Sequence, residues 1–284
     1  MYFSYDDYMT SALISLVASL YKGVAKPVLF TQDPEKVHLR ALSLGQYLGN
    51  SEFAKNTLSS VLKYENRVLE QNLFGITFKN PFGLAAGFDY EARLTQILPS
   101  IGFGFGTVGT LTNLPYEGNP RPMLGRLPKS RSLMVNKGFK NFGVRATLEN
   151  LKGLHFEYPV GVSIGKTNTD LHKTREEAVL DIFEGFKNAE ESRVPFSYYE
   201  LNISCPNLKG SIEFYEPGHL DELLREIARI AIARPIFIKM PISKTDAEIR
   251  GMMEVITQYP KIKAVILGNL ERNRSNPALR EEEV

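Results

Sequence analysis

From about Gly75 onward, short apolar runs alternate with longer stretches whose apolar positions recur at helical spacing. Phe82–Phe88, Phe105–Leu111, Val160–Gly165, Tyr198–Ser204, Ile236–Met240 and Ala264–Leu270 predict six strands. Between them, Thr174-Arg-Glu-Glu177 reads as a capping box that opens a helix through Phe186. Leu220–Ile232 carries a second helical pattern, and Thr245 or Asp246 caps a third that runs to about Tyr259. Residues 1–70 have a different texture and read as helical. There Asp33 precedes Pro34, an N-cap followed by proline at the first helical position. Val37, Ala41, Leu44 and Leu48 follow on one face, Gly49-Asn50 ends the run, and Phe53–Leu62 predicts another helix.

Strand–helix alternation with apolar strands implies a parallel sheet, which a barrel and an open doubly wound sheet would both satisfy. The polar residues separate the two. They stand where strands end, at Asp89, Thr110, Lys166, Asn202–Asn207, Lys239 and Asn269, rather than at a single switch point. The expectation is therefore an α/β fold of the (β/α)8 TIM-barrel type, with a helical extension over 1–70 and the barrel unit over 71–284. Six strands are countable where such a barrel has eight, so a barrel that breaks off after about the sixth strand is expected.

Composition narrows the function. With 284 residues, a net charge of +2 and no dense Lys/Arg run, the chain gives no reason to expect a nucleic-acid partner. Its one cysteine, Cys205, cannot form an internal disulfide, which suits the reducing cytoplasm, and its four histidines lack ligand spacing, so no metal site is expected. Tyr8–Tyr21 is an uncharged stretch of 14 residues, shorter than the roughly 20 that span a bilayer. It fits either a helix packed on the body or one lying on a membrane surface.

Several segments carry candidate chemistry. Ala85, Ala86 and Gly87 end a strand with residues small enough for a planar group to approach the backbone. Glu117–Pro122 reads as a rigid polar turn, and Leu124–Pro128 with Ser132–Asn136 as an inserted hairpin. The loop after it offers the carboxamides of Asn136 and Asn141, groups that suit a ring bearing both carbonyls and N–H groups. In Glu200–Gly210 a strand delivers Asn202, Ser204, Cys205 and Asn207 in a turn that contains Pro206. A thiol with an ordinary pKa of about 8.5 is close enough to neutrality to serve as a general base. Lys239 closes the fifth strand, where an ammonium can stabilise developing negative charge.

In order and spacing, NPFGLAAGFD, GFGFGTVGTLT, EGNPRPM, VNKGFKNFG, ELNISCPN and FIKM resemble the dihydroorotate dehydrogenase family from about residue 28 to 275. The resemblance implies a barrel with FMN at its mouth that oxidises dihydroorotate to orotate in pyrimidine synthesis. Cys205 would be the base, and Asn136, Asn141, Asn202, Asn207 and Asn269 would hold the substrate. Ala85, Ala86, Gly87, Thr110, Ser163, Asn202 and Lys239 would contact the flavin. The N-terminal layout resembles the membrane-associated class, in which His38 and Arg126 would line a quinone entrance on a protein bound peripherally to the inner face of the cell membrane. Cys205 and Ser163 resemble the soluble class instead. The sequence departs from the family at Tyr90, where the membrane class has lysine, in the one-residue-shorter Asn136 loop, and at Gly268 and Leu270 beside Asn269. Two alternatives stay open: a flavin oxidoreductase acting on another cyclic amide, and an inactive barrel kept as a binding protein.

Overall fold

The computed structural model describes residues 5–271 and 273–283, with side chains from residue 12 onward. The chain opens with α1 (Tyr5–Leu20), a π-helical turn at Tyr21–Ala25 and α2 (Lys26–Phe30). The helical path therefore continues past the uncharged stretch read from the sequence. Ala12–Phe30 is 19 residues of mean hydropathy 1.4, long and apolar enough to cross a membrane by length and composition. None of it is buried, although α1 touches α4 and α2 touches α3. The side chains of Tyr8–Ser11 lie outside the described residues.

Asp33 accepts from the Lys36 N–H at 2.9 Å and starts α3 (Pro34–Gly49), and Ser51 accepts from Ala54 N–H to start α4 (Glu52–Leu62). A short antiparallel hairpin, β1 (Gln71–Leu73) and β2 (Ile76–Phe78), then precedes the main sheet. The Phe82–Phe88 run forms only a short strand, β3 (Gly83–Leu84). Beyond it Gly87 takes φ +109°, which turns the backbone out of the ladder so that its N–H reaches Gly109 O at 2.7 Å.

The main sheet continues with β4 (Phe105–Leu111), β7 (Val160–Ile164), β8 (Tyr198–Asn202), β9 (Ile236–Met240) and β10 (Ile262–Leu267). Between β4 and β7 lie the hairpin β5 (Leu124–Leu127) and β6 (Ser132–Val135) and an eight-residue helix, α5 (Val144–Leu151). The helices α6 (Arg175–Glu191), α7 (Pro217–Ala228) and α8 (Asp246–Ile256) connect the later strands. Capping boxes at Thr174/Glu177 and Thr245/Glu248 open α6 and α8.

Every pairing in the sheet is parallel, in the order β10-β9-β8-β7-β4-β3. The order follows the sequence with no switch point, so the sheet is an arc of a (β/α) barrel and not a doubly wound sheet. Alternation assigns the two faces. Val162, Ile164, Leu201, Ile238 and Met240 join Phe186, Leu220, Leu223 and Met252 of the helices in the main core. The other face turns Tyr198, Glu200 and Asn202 inward from one strand and Phe237 and Lys239 from the next. At the N-terminal end of the arc the β1–β2 hairpin closes this interior, Ile76 packing with Tyr198 and Phe237.

Candidate active site

Three groups of side chains meet at the C-terminal ends of the strands. The first lies on the strand ends. Asn202 Nδ2 donates to Thr110 Oγ1 at 2.8 Å, while its Oδ1 accepts from the Ser204 N–H at 3.2 Å and the Ser204 hydroxyl at 3.1 Å. Asn269 Nδ2 donates to the same Ser204 hydroxyl, so the ends of three strands, β4, β8 and β10, are tied together at one level. Thr110 also bonds Ser163 Oγ at 2.8 Å, and Ser163 donates to Glu200 Oε1 at 2.6 Å. Burial pushes the Glu200 carboxyl up, against the pull of the nearby Lys239 ammonium.

The second group is a chain of carboxamides whose orientations follow from one backbone donor. The Lys209 N–H, which cannot accept, bonds Asn168 Oδ1 at 2.6 Å, and this turns Asn168 Nδ2 toward Asn119 Oδ1 at 3.0 Å. Asn119 must then present its own Nδ2 outward, where it donates to Asn136 Oδ1 and to Asn207 O, both at 2.9 Å. Asn136 is left with its N–H2 for a ligand. Asn207 is oriented the opposite way, because its Nδ2 donates to Val135 O at 2.8 Å and its carbonyl remains. The pair thus offers one donor and one acceptor.

The third group surrounds Tyr90, which is buried. The Lys137 ammonium lies 4.9 Å from the Tyr90 ring centre and 3.2 Å from His38 Nδ1, and His38 Nε2 bonds Phe88 O at 2.8 Å. Burial holds the Tyr90 hydroxyl well above its ordinary range, and an electrostatic interaction with Cys205 adds to this. Cys205 itself is half-buried. Arg126 lies apart from Tyr90, donating to Gln32 O at 2.7 Å and stacking over Phe30 at 4.7 Å, between the hairpin and α2.

Asn141 differs from the other asparagines. Its amide donates to Thr112 Oγ1 (2.7 Å) and Phe139 O (2.6 Å) and accepts from the N–H groups of Thr112 (3.2 Å) and Gly143 (2.7 Å). All four of its positions are taken, so the geometry makes it a brace for the loop rather than a ligand-facing group. Conversely, Asn119, Asn168 and Lys137 were not singled out from the sequence. Asn119 lies in the polar turn at 117–122, but nothing local signals its reach to residue 207.

A flavin fits the inner face. A side chain added at Gly87 would meet nothing within 4 Å, so the backbone there is open to a flat group. On the same inner face a cavity of about 430 Å³ runs from the β1–β2 hairpin, where Phe74 and Phe78 line it, past Tyr198 and Phe237 to Ala85, Glu200 and Lys239. Thr110, Ser163 and Asn202 add hydroxyl and amide groups at the same level.

Comparison with known proteins places the chain in a family. The family model described as dihydroorotate dehydrogenase matches residues 68–284. The chain belongs to the dihydroorotate dehydrogenase family. Among curated members, the dihydroorotate dehydrogenase (quinone) of Christiangramia forsetii is 33% identical over 259 residues, covering 90% of this chain and 74% of that protein. The enzyme of the same name from Gloeobacter violaceus is 35% identical over 225 residues, covering 78% of this chain and 61% of that one. Among solved structures, DHODH from Eimeria tenella in complex with ferulenol aligns with a TM-score of 0.73 at 27% identity, over 88% of this chain and 70% of that one. The arc is accordingly a partial TIM barrel of this family.

Proposed function

We propose that this chain binds FMN, oxidises dihydroorotate to orotate and passes the two electrons to a quinone. One observation carries the reading. The turn after β8 presents Cys205 between two amide networks, Asn202 with Thr110, Ser204 and Asn269 on one side, and Asn207 with Asn119 and Asn136 on the other. Oxidation removes a proton from one ring carbon and a hydride from its neighbour, leaving a carbon–carbon double bond. The Cys205 thiolate takes the proton and, being half-buried, can return it to solvent. Bound FMN would supply the hydride acceptor, held by Ala85, Ala86, Gly87, Thr110, Ser163, Asn202 and Lys239. The Asn136 N–H2 and the Asn207 carbonyl match a ring that alternates carbonyl and N–H groups, and Asn202 and Asn269 fix the opposite edge through Ser204.

In this reading residues 1–70 form a helical extension and 71–284 the flavin and substrate domain. The exposed apolar helix Ala12–Phe30 lies on the cytoplasmic face of a membrane. Quinone then reaches the flavin past His38 and Arg126, which stand between the N-terminal helices and the barrel. Tyr90 gives some weight to a second reading, in which a neutral cyclic amide such as dihydrouracil is the substrate.

The test is anaerobic addition of dihydroorotate to the flavin-loaded protein. Loss of flavin absorbance is expected, and Cys205→Ala should retain flavin while its reduction slows by orders of magnitude. A flavin bleached by dihydrouracil and not by dihydroorotate would establish the second reading. Unaltered reduction in Cys205→Ala would remove the thiol from the reaction.

A further inference from the structure

The buried lysines differ in their counter-charges. Lys55 pairs with Glu52 at 2.7 Å, Lys166 is supported by Asp181, and Lys239 lies close enough to Glu200 to draw its carboxyl down. Lys137, only 5% exposed, has no carboxylate in contact among the described residues. Its ammonium meets two neutral partners, the Nδ1 of His38 at 3.2 Å and the face of Tyr90 at 4.9 Å. The nearest strong anion, Glu35 of α3, is engaged directly by Lys140 at 3.5 Å and Arg121 at 3.6 Å. Burial is the main reason that the Lys137 amine falls to about 8, with Glu35 and Glu91 opposing the fall and Lys140 adding to it.

A buried cation without an anion is unfavourable unless something supplies one. Lys137 follows Asn136, whose N–H2 is held open for a ligand, and its ring contact, Tyr90, interacts electrostatically with Cys205. The ammonium therefore stands beside the proposed substrate position. Dihydroorotate and orotate differ from their uracil counterparts in carrying a ring carboxylate.

We propose that Lys137 binds the carboxylate of the substrate and is the residue by which this site selects the acid over neutral cyclic amides. The inference rests on the dehydrogenase reading above and adds to it the group that confers specificity. The carboxylate completes an ion pair that the protein leaves half-made, and His38 and Tyr90 hold the ammonium toward it. The charges acting on Lys137 are those of Glu35 on α3, Glu91 after β3 and Lys140 on its own loop, and the titratable groups in contact with it are His38 and Tyr90.

The experiment is calorimetric titration of the flavin-loaded protein with orotate and with uracil, from pH 6.5 to 9. Wild type should bind orotate much more tightly than uracil. Lys137→Met should weaken orotate by about ten- to a hundredfold, the range expected for one charge-assisted contact, and leave uracil within about twofold. Lys137→Arg should recover part of the loss. The sign of the pH effect follows from the free amine titrating near 8. Below that value the cation is present and orotate affinity is flat, whereas above it affinity falls toward tenfold per unit, a fall absent in Lys137→Met. Orotate binding in Lys137→Met equal to wild type, with the same pH profile, would overturn the inference alone. Failure of wild type to bind orotate at any pH would overturn the dehydrogenase reading and this inference with it.

Discussion

Replacing Asn119 by alanine tests whether the amide chain orients the site. The side chain donates to Asn136 and Asn207 O at 2.9 Å each and accepts from Asn168 at 3.0 Å and the Tyr116 hydroxyl at 2.6 Å. Each bond has a net worth of about 1 kcal/mol, but Asn119 is half-buried and water can replace part of what is lost. A stability loss of about 1–2 kcal/mol follows, or roughly 2–6 °C in Tm for a chain of this size. The effect on ligand binding has a separate origin. Without Asn119 the Asn136 amide is free to turn, so its donor must be reordered by the ligand, which weakens orotate by about five- to thirtyfold. Asn119→Asp separates the two effects. It keeps both acceptor contacts but replaces the donor with a carboxylate, which draws the Asn136 N–H2 toward itself and turns the carbonyl to the pocket. Asn119→Asp should thus be more stable than Asn119→Ala and bind orotate less well, measured by thermal melts and calorimetry on the same preparations. If Asn119→Asp binds orotate as tightly as wild type, the proposed orientation of Asn136 is wrong.

Two further outcomes test the barrel interior. Gly161→Ala would drive a methyl group into the Tyr198 ring, which is already stacked on Phe237 at 4.7 Å, and should cost about 1–3 kcal/mol in denaturant melts; an unchanged midpoint would mean that the ring moves aside freely. Glu200→Gln should stabilise the protein at neutral pH. A carboxyl whose folded pKa is raised binds more protons in the folded than in the unfolded state, so stability falls as pH rises above the unfolded value near 4.5, and the advantage of the variant should shrink as pH is lowered toward it. A constant difference across that range would exclude burial of Glu200 as the cause.

What could be read from the sequence divides by the range of the interactions involved. Phe105–Leu111 and Ile236–Met240 were expected as strands and are strands over the same residues, because strands covered on the helix side and packed inside the barrel need continuous apolar runs. Asp33-Pro34 likewise marks a helix start with local chemistry alone. Val144–Leu151 escaped notice because it is short and its N-cap, Gly143, provides no side-chain bond. The first strand shrank to Gly83–Leu84 because its pairing is decided by Gly109, twenty-odd residues away.

The site follows the same division, and this bears on how it works. Cys205 and the asparagines around it were visible because a proline-bounded turn concentrates them in six residues, Asn202–Asn207. Their orientations were not visible. The side of Asn136 that faces a ligand is fixed by Asn119, whose amide is fixed by Asn168, whose amide is fixed by the backbone N–H of Lys209. Each link joins residues at least seventeen apart in sequence. Chemical identity at this barrel mouth is therefore local, whereas donor and acceptor polarity is set by contacts between loops from different strands. Two homologous chains could share every motif asparagine and still present opposite amide faces to a ligand, if their β7 and β8 loops met differently.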